Sequence, residues 1–175
     1  MRIDVRDLEL RPLRYAGSLS QQELEFDPRD ILIKGKVGIN LLVERRGYDV
    51  RVRGTLKAQV ELTCSRCLEP ATIPIASDFD QLYESNAVHP LSGEIALQEK
   101  DTDIGFFSGD TIEINDIIRE QILLALPMKP ICREDCKGLC PHCAKNRNAV
   151  DCDCEHLFSD PRLAELSKII NRIRS

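Results

Sequence analysis

The sequence predicts an α+β fold, in which a curled antiparallel β meander or partial barrel is followed by a buried helix, a metal-stapled cysteine segment and a C-terminal helix. Three observations predict it. Apolar and polar residues alternate over most of residues 31–79, which is typical of strands with one buried face. Apolar residues recur at helical spacing after Glu113, and six cysteines lie within the 23 residues from Cys132 to Cys154.

Three long strands make up the predicted meander. Apolar residues occupy odd positions in residues 31–43 and even positions in residues 50–62, and a third alternating run covers residues 71–79. Strands of 13 residues, as in the first two runs, exceed the usual length. We therefore expect the sheet to twist and curl, with Gly38 and Gly54 as candidate bends.

A loop and a helix are predicted between the meander and the cysteines. Residues 85–110 combine prolines, glycines and many acids without a sustained period, which predicts a long acidic loop. Between Glu113 and Leu126 the apolar residues follow helical spacing and then crowd all round the last turn. We expect this helix to end buried and to stop at Pro127.

Asp160 and Pro161 form an N-cap and first-turn pair that begins the predicted C-terminal helix. We expect its apolar stripe to pack on the rest of the protein, although a partner-binding helix is an alternative. The chain thus divides into a β-rich part, residues 1–110, and a part with the helices and cysteines, residues 111–175, and we expect the two to pack as one unit.

The composition is that of an intracellular globular protein. The chain has 175 residues, of which 42% are hydrophobic, enough for a core of its own. No apolar stretch approaches the roughly 18 residues of a membrane span, and the start lacks the apolar segment of a signal peptide. We therefore expect a cytoplasmic protein without a membrane partner, whose eight cysteines stay reduced.

The cysteines have the spacing of metal ligands. Zinc takes four thiolate or imidazole ligands in a tetrahedron, and two cysteines separated by two residues reach one ion from a single turn. The cysteines at 152 and 154, separated by one residue, project to one side of an extended segment. Spacing therefore favours two zinc ions, one held by Cys64, Cys67, Cys132 and Cys136 and the other by Cys140, Cys143, Cys152 and Cys154.

Other assignments stay open on spacing alone. Cys136 could share a site with Cys140, and His142 or His156 could replace a thiolate. The Cys64–Cys67 pair could be a redox dithiol, but it falls between predicted strands, where no helix N-terminus would lower a thiol pKa.

No catalytic motif supports an enzyme. The sequence contains no GxxxxGK[ST] phosphate loop, no GxSxG nucleophile elbow and no HExxH zinc motif. Acids of the 85–110 loop could bind magnesium, but scattered loop acids usually only face solvent. We therefore expect a non-catalytic protein.

Charge is segregated within a net charge of −5. Residues 31–60 carry seven basic and two acidic residues, whereas residues 76–116 carry ten acidic residues and one lysine. A basic hairpin suits a phosphate backbone, although an unevenly charged solvated surface is the alternative. The candidate RNA contacts are Arg45, Arg46, Arg51, Arg53 and Lys57 in the hairpin, and Lys145 and Arg147 in the cysteine segment.

The most specific pattern is Cys136-Lys-Gly-Leu-Cys-Pro141, followed by Asn146 and Asn148 and preceded by a Leu-Pro pair at the helix end. A Cys64-Ser-Arg-Cys67 turn at the end of a long strand accompanies it. On these residues the chain from about 50 to 155 resembles the YceD family, the large ribosomal RNA subunit accumulation proteins. The resemblance implies a role in accumulating 23S ribosomal RNA and hence in making the large subunit.

Two positions depart from the family pattern, which often has glycine after the cysteine at position 143 and leucine at position 147. This chain has Ala144 and Arg147. If position 144 needs a left-handed backbone, alanine costs about 1–2 kcal/mol, which bound zinc could offset. Arg147 adds positive charge beside Lys145.

Residues and resemblance together predict a non-catalytic ribosome assembly factor that acts on pre-ribosomal RNA or large-subunit proteins and takes no small-molecule substrate. One alternative is a zinc-stabilised module that binds only proteins. The other is a metal-dependent RNA-processing enzyme. Salt-dependent RNA binding separates the first alternative from the prediction, and turnover of an RNA precursor would reveal the second.

Overall fold

The computed structural model describes residues 1–9, 11–86, 104–152 and 154. These residues contain a 3₁₀ helix at Val5–Glu9 and one α-helix, α1, at Ile114–Ala125. The strands are β1 (Arg2–Asp4), β2 (Leu13–Leu19), β3 (Leu32–Ile33), β4 (Val37–Arg46), β5 (Asp49–Thr63), β6 (Pro70–Ser85), β7 (Ile104–Phe107) and β8 (Thr111–Glu113).

A mixed sheet organises the fold. Its strand order is β2-β4-β5-β6-β7, with β3 paired to the far end of β5, while β1 and β8 form a separate two-stranded sheet. Neither sheet closes on itself, so the described residues form two open sheets and not a barrel. The α+β class and the single helix before the cysteines are as the sequence predicted.

The predicted meander corresponds to β4, β5 and β6, which pair antiparallel in chain order. The even positions of β5 face the core, and Val50, Val52 and Val60 are 0% exposed. One turn separates β4 from β5 at Gly47, whose φ is 68°, a left-handed conformation suited to glycine. Period-two alternation thus identified both the strands and the buried face.

The first predicted strand is interrupted. Residues 32–33 pair with one end of β5 and residues 37–46 with the rest, and between them Gly35 adopts a φ of 84°. Gly38, a predicted bend, lies within β4. At Gly54 an added Cβ would lie 2.6 Å from the Asn40 carbonyl oxygen, so the close strand approach there requires glycine.

The expectations of an all-antiparallel sheet and of a loop throughout 85–110 were wrong. Residues 104–107 form β7, which pairs parallel with the end of β6, and Phe107 is buried there. A strand of four residues is too short to show a clear alternation of apolar and polar residues. The sequence pattern therefore could not distinguish β7 from a loop. The rest of the predicted acidic loop, residues 87–103, lies outside the described residues.

Helix α1 packs against β6 and β1 with one apolar face, on which Ile114, Ile118 and Ile122 are 0% exposed. The expectation that the helix ends buried was wrong: Leu123 is 46% and Leu124 73% exposed. A helix on a sheet buries only one stripe, so apolar residues all round the last turn cannot all face the core. None of the described helices is long and apolar enough to span a membrane.

The N-terminal strands were not predicted. In β2, an edge strand, only Leu19 is fully buried, so the sequence shows no amphipathic alternation there. Strand β1 pairs with β8, with Arg2 opposite Glu113, which joins the two parts of the chain divided at residue 110. The predicted C-terminal helix lies outside the described residues.

Candidate metal centre

The first cluster of sulfurs lies where the sheet meets the segment after α1. Cys64 and Cys67 belong to the turn between β5 and β6, and Cys132 and Cys136 follow the helix. The four sulfurs lie within 4.8 Å of one another. The Sγ atoms of Cys64 and Cys136 are 3.9 Å apart, and those of Cys67 and Cys132 are 3.6 Å apart. The cluster therefore joins residues that are about 70 positions apart in sequence.

The second cluster is local in sequence. The sulfurs of Cys140, Cys143, Cys152 and Cys154 also lie within 4.8 Å of one another. Cys140 is buried, and the other three are partly or fully exposed. The structure thus groups the eight cysteines into the two sets of four that spacing favoured. Cys136 belongs to the first set, His142 belongs to neither, and His156 lies outside the described residues.

Both clusters have dimensions that fit a tetrahedral metal ion. Zinc–sulfur bonds of about 2.3 Å put neighbouring sulfurs of a tetrahedron about 3.8 Å apart. The two sulfur–sulfur distances given for the first cluster, 3.6 and 3.9 Å, lie on either side of that value. Each cluster can therefore hold one metal ion through four thiolates.

The two Cys-x-x-Cys turns share one backbone geometry. The residue after each second cysteine donates its N–H to the carbonyl oxygen of the first cysteine, from Leu68 at 3.0 Å and from Ala144 at 2.9 Å. Both residues are left-handed, with φ of 62° and 55°. The conditional expectation for Ala144 is met, and an alanine there costs about 1–2 kcal/mol relative to a relaxed backbone.

Backbone N–H groups lower the pKa of one cysteine in each cluster. In both turns the N–H groups of the third and second following residues donate to the first cysteine sulfur, which lowers the pKa of Cys64 to about 6 and that of Cys140 to about 6. Such N–H groups stabilise the thiolate, the form that binds metal. Each turn therefore favours the thiolate form of its first cysteine.

Other sulfurs in the clusters hold their protons more tightly. Desolvation of its sulfur and the neighbouring cluster sulfurs raise the pKa of Cys132 to about 12, and the adjacent Cys143 sulfur raises the pKa of Cys154 to about 12. A cation at the centre must displace these protons, so metal binding releases protons and strengthens as pH rises.

The second turn is attached to the first through hydrogen bonds of the backbone and side chain of Arg66. The Leu139 N–H donates to the Arg66 carbonyl oxygen at 2.9 Å, and the Arg66 guanidinium donates to the Cys136 carbonyl oxygen at 3.0 Å. Gly138 has a φ of 72°, and a Cβ there would lie 2.9 Å from the same Arg66 oxygen. Glycine at position 138 is therefore required by both conformation and close approach.

The candidate RNA contacts of the hairpin divide into paired and unpaired cations. Arg45 forms an ion pair with Glu9, Arg51 with Asp80 and Arg53 with Glu44. The Asp80 carboxylate accepts from Arg51 at 2.7 Å and raises the pKa of that guanidinium. The other two hairpin candidates, Arg46 and Lys57, form no ion pair with any described residue. The same holds for Lys145 and Arg147 in the cysteine segment.

Residues that sequence reasoning did not assign to the metal centre also take part. Arg66 braces the two turns, and Asn148 donates from its side chain to the Cys136 sulfur at 3.3 Å. Asn148 had been noted only as part of the family pattern. A side-chain amide gives no spacing signal of its own, so only the folded arrangement reveals this contact.

The family model for the large ribosomal RNA subunit accumulation protein YceD matches residues 52–170 of this chain. The chain belongs to the YceD family. The match covers β6, α1 and both cysteine clusters of this YceD-family chain.

Relatives of this YceD-family chain occur in bacteria and plants. An uncharacterized protein of Mycobacterium tuberculosis is 32% identical over 132 residues, which are 75% of this chain and 61% of that protein. YlbN of Bacillus subtilis is 29% identical over 168 residues, covering 88% of this chain and 92% of YlbN. The chain spans about three fifths of the mycobacterial proteins that it matches.

A maize relative is named large ribosomal RNA subunit accumulation protein YCED homolog 1, chloroplastic. It is 28% identical over 193 residues, which cover 86% of this chain and 66% of the maize protein. No solved structure matches the chain.

Proposed function

We propose that this chain is a non-catalytic ribosome assembly factor that supports accumulation of 23S ribosomal RNA by binding pre-ribosomal RNA or a large-subunit protein. The observation that carries the proposal is the family match over residues 52–170, whose name refers to accumulation of the large-subunit RNA. The plant relatives of similar name support it. The cytoplasm is its proposed location.

Both sulfur clusters hold zinc in this proposal. Each offers four sulfur ligands and no oxygen ligand, a donor set that suits zinc and not magnesium or calcium. Zinc has no redox chemistry, and a closed four-thiolate site leaves no position for a substrate. The proposed role of the metal is therefore to hold the binding surface in one shape.

We expect the protein purified under reducing conditions to carry two zinc ions per chain and no disulfide, because two sets of four sulfurs are in place. Elemental analysis gives the stoichiometry, and thiol titration before and after chelation gives the number of protected cysteines. One zinc ion, or eight freely reactive thiols before chelation, would contradict the two-site arrangement.

The outer face of β5 is the proposed RNA surface. Arg51, Arg53 and Lys57 alternate with buried residues and therefore lie on one side of the strand. The ion pairs of Arg51 and Arg53 are partly exposed, and such pairs contribute only about 0–1 kcal/mol, so phosphate can compete for these cations. Lys57 is unpaired, so phosphate can bind it without displacing a carboxylate.

The cations of the second cluster are a weaker candidate surface. Four thiolates around a divalent ion carry a net charge of about −2, which the nearby Lys145 and Arg147 offset in part. Their attraction for phosphate is reduced to the same extent. Their contribution adds to that of the hairpin only if both surfaces lie on one side of the protein.

Arg46 adjoins this surface at the end of β4, where it lies opposite Asp49 of β5 in the strand register. Exchanging Arg46 and Lys57 together for glutamine should weaken RNA binding and reduce the slope of log affinity against log salt by about 1–2, because each unpaired cation that contacts phosphate displaces about one counterion. The Arg51→Gln/Arg53→Gln variant should change the slope less, since Asp80 and Glu44 already neutralise these arginines. Filter binding of a large-subunit RNA fragment across a salt series measures both slopes.

The matched control is Arg29→Gln, which removes an exposed arginine that pairs with Asp27 outside β5. It should leave the slope unchanged. An unchanged affinity and slope in every hairpin variant would favour the alternative of a module that binds only proteins.

Cosedimentation tests the function as a whole. The tagged full-length chain should travel with large-subunit precursor particles and not with mature subunits, and its removal should lower the ratio of 23S to 16S ribosomal RNA. Absence from precursor particles would contradict the proposal. Turnover of a labelled RNA precursor in magnesium, lost on exchange of a single aspartate, would favour the processing enzyme instead.

A further inference from the structure

The side chain of Asn148 connects the two sulfur clusters. It lies in the loop between the Cys140–Cys143 turn and Cys152, which the second cluster closes, yet its Nδ2 donates to the sulfur of Cys136 in the first cluster at 3.3 Å. Its Oδ1 accepts from the Lys137 N–H at 2.8 Å. This second contact fixes the orientation of the amide, because only the oxygen can accept, and so directs the NH₂ group to the sulfur.

The loop that carries Asn148 is held against the first cluster by further contacts. Asn146 Oδ1 accepts from the backbone N–H of Asn148 at 3.0 Å and from its Nδ2 at 2.9 Å. The Arg147 N–H donates to the Gly138 carbonyl oxygen at 2.9 Å, and Leu139 and Asn146 form an antiparallel bridge. Both Nδ2 hydrogens and the Oδ1 of Asn148 are therefore in use, in a loop whose two ends are joined by the second cluster.

We propose that the two clusters act as one coupled metal unit, in which zinc in the second cluster raises the zinc affinity of the first by holding Asn148 against the Cys136 sulfur. This inference rests on the proposed zinc content. It assigns Asn148 as a positioning residue for a metal site to which it contributes no ligand.

The physical reason is the cost of ordering the loop. A hydrogen bond to a thiolate stabilises the charged ligand, and loss of such a contact typically costs 10–100-fold in metal affinity. Without metal in the second cluster the loop from residue 144 to residue 151 is closed only by hydrogen bonds. Zinc binding at the first cluster must then also supply the free energy that orders this loop. Otherwise the Cys136 sulfur loses the hydrogen bond from the Asn148 amide.

The experiment measures zinc occupancy of each cluster separately in the full chain. Zinc-loaded protein is equilibrated with graded concentrations of a chelator and then alkylated, and the modified cysteines are assigned by peptide mapping. Four proteins form a thermodynamic cycle: the unaltered chain, Asn148→Ala, Cys143→Ser/Cys154→Ser, and the combination of all three changes. Asn40→Ala, which removes an exposed amide from β4, is the matched control.

Disabling the second cluster should lower the zinc affinity of the first about 10-fold in the unaltered background but less than about 2-fold in the Asn148→Ala background. Asn148→Ala alone should lower it about 10-fold, and the control should not change it. Asn148→Asp keeps the acceptor for Lys137 but replaces the NH₂ donor with a negative charge, so it should lower the affinity of the first cluster at least as much.

Equal losses in the two backgrounds would show that Asn148 does not carry the coupling and would overturn the inference. Two zinc ions whose affinities are independent in all variants would overturn it as well, while leaving the proposed zinc content intact. A chain that binds no zinc at all would overturn the metal proposal itself. Amide exchange of β4 to β6 confirms that every variant keeps its sheet.

Discussion

Exchange of Cys64 for serine should remove zinc from the first cluster and release the segment that follows α1 from the sheet. Cys64 is fully buried, and its cluster joins residues 64–67 to residues 132–136. Structural zinc sites contribute about 10–16 kcal/mol of apparent binding free energy, which depends on all four ligands. A site with only three sulfurs should therefore bind zinc much more weakly and lose most of its occupancy. We expect zinc content to fall to one ion per chain or less.

Amide exchange followed by peptide mass spectrometry should locate the damage. Protection should be lost in residues 64–70 and throughout residues 130–150, because the Ser65 N–H to Pro130 oxygen and Leu139 N–H to Arg66 oxygen bonds both depend on this junction. The central strands β4 and β5 should stay protected, since their core does not include the cysteines.

Cys140→Ser is the matched comparison, because Cys140 is equally buried but belongs to the local cluster. Its loss should disorder the chain from about residue 137 to residue 152 and leave the β5–β6 turn protected. The first site should keep zinc at reduced affinity. The same loss of protection in both variants would contradict the assignment of the cysteines to two separate sites.

Exchange of Ile118 for alanine should destabilise the protein by about 2–5 kcal/mol, because the side chain is 0% exposed between α1 and the sheet and its removal leaves a cavity. Leu124→Ala, on the same helix but 73% exposed, should change the free energy of unfolding by less than about 0.5 kcal/mol. Denaturant unfolding of the zinc-loaded chains measures both.

The two variants compare a buried and an exposed position on the same helix. Leucine, isoleucine and alanine differ little in helix propensity. The two changes in the free energy of unfolding should therefore differ mainly because one side chain is buried and the other is exposed. Equal destabilisation by the two changes would mean that the end of α1 is covered in solution, as the sequence had led us to expect.

Local periodicity predicted the parts of the fold that carry a long pattern. Strand β5 alternates over fifteen residues, and α1 repeats its apolar stripe over three turns, so both were found with their buried faces. Strands β1 and β8 have three residues each, and β7 has four. Their pairing depends on partners that are distant in sequence, which no local pattern contains.

The metal centre was likewise predictable only in part. The spacing of the cysteines was sufficient to propose two groups of four, because cysteines with one to three residues between them have few ways to share an ion. The contact from Asn148 to the first cluster and the bracing role of Arg66 depend on how two turns lie against each other. The ion pairs that occupy Arg51 and Arg53 were likewise invisible, since their carboxylates come from neighbouring strands.

The pairing of β1 with β8 sets an order of events during synthesis of the chain. β4, β5 and β6 are consecutive, so they can pair as soon as residue 85 has left the ribosome. β1 emerges first among the strands but cannot be matched until residue 113 has been made. The first set of sulfurs is incomplete until Cys136 appears, and the second until Cys154. During synthesis β1 therefore stays without its partner strand until residue 113 has been made, and the thiols stay without a complete ligand set until residue 154 has been made.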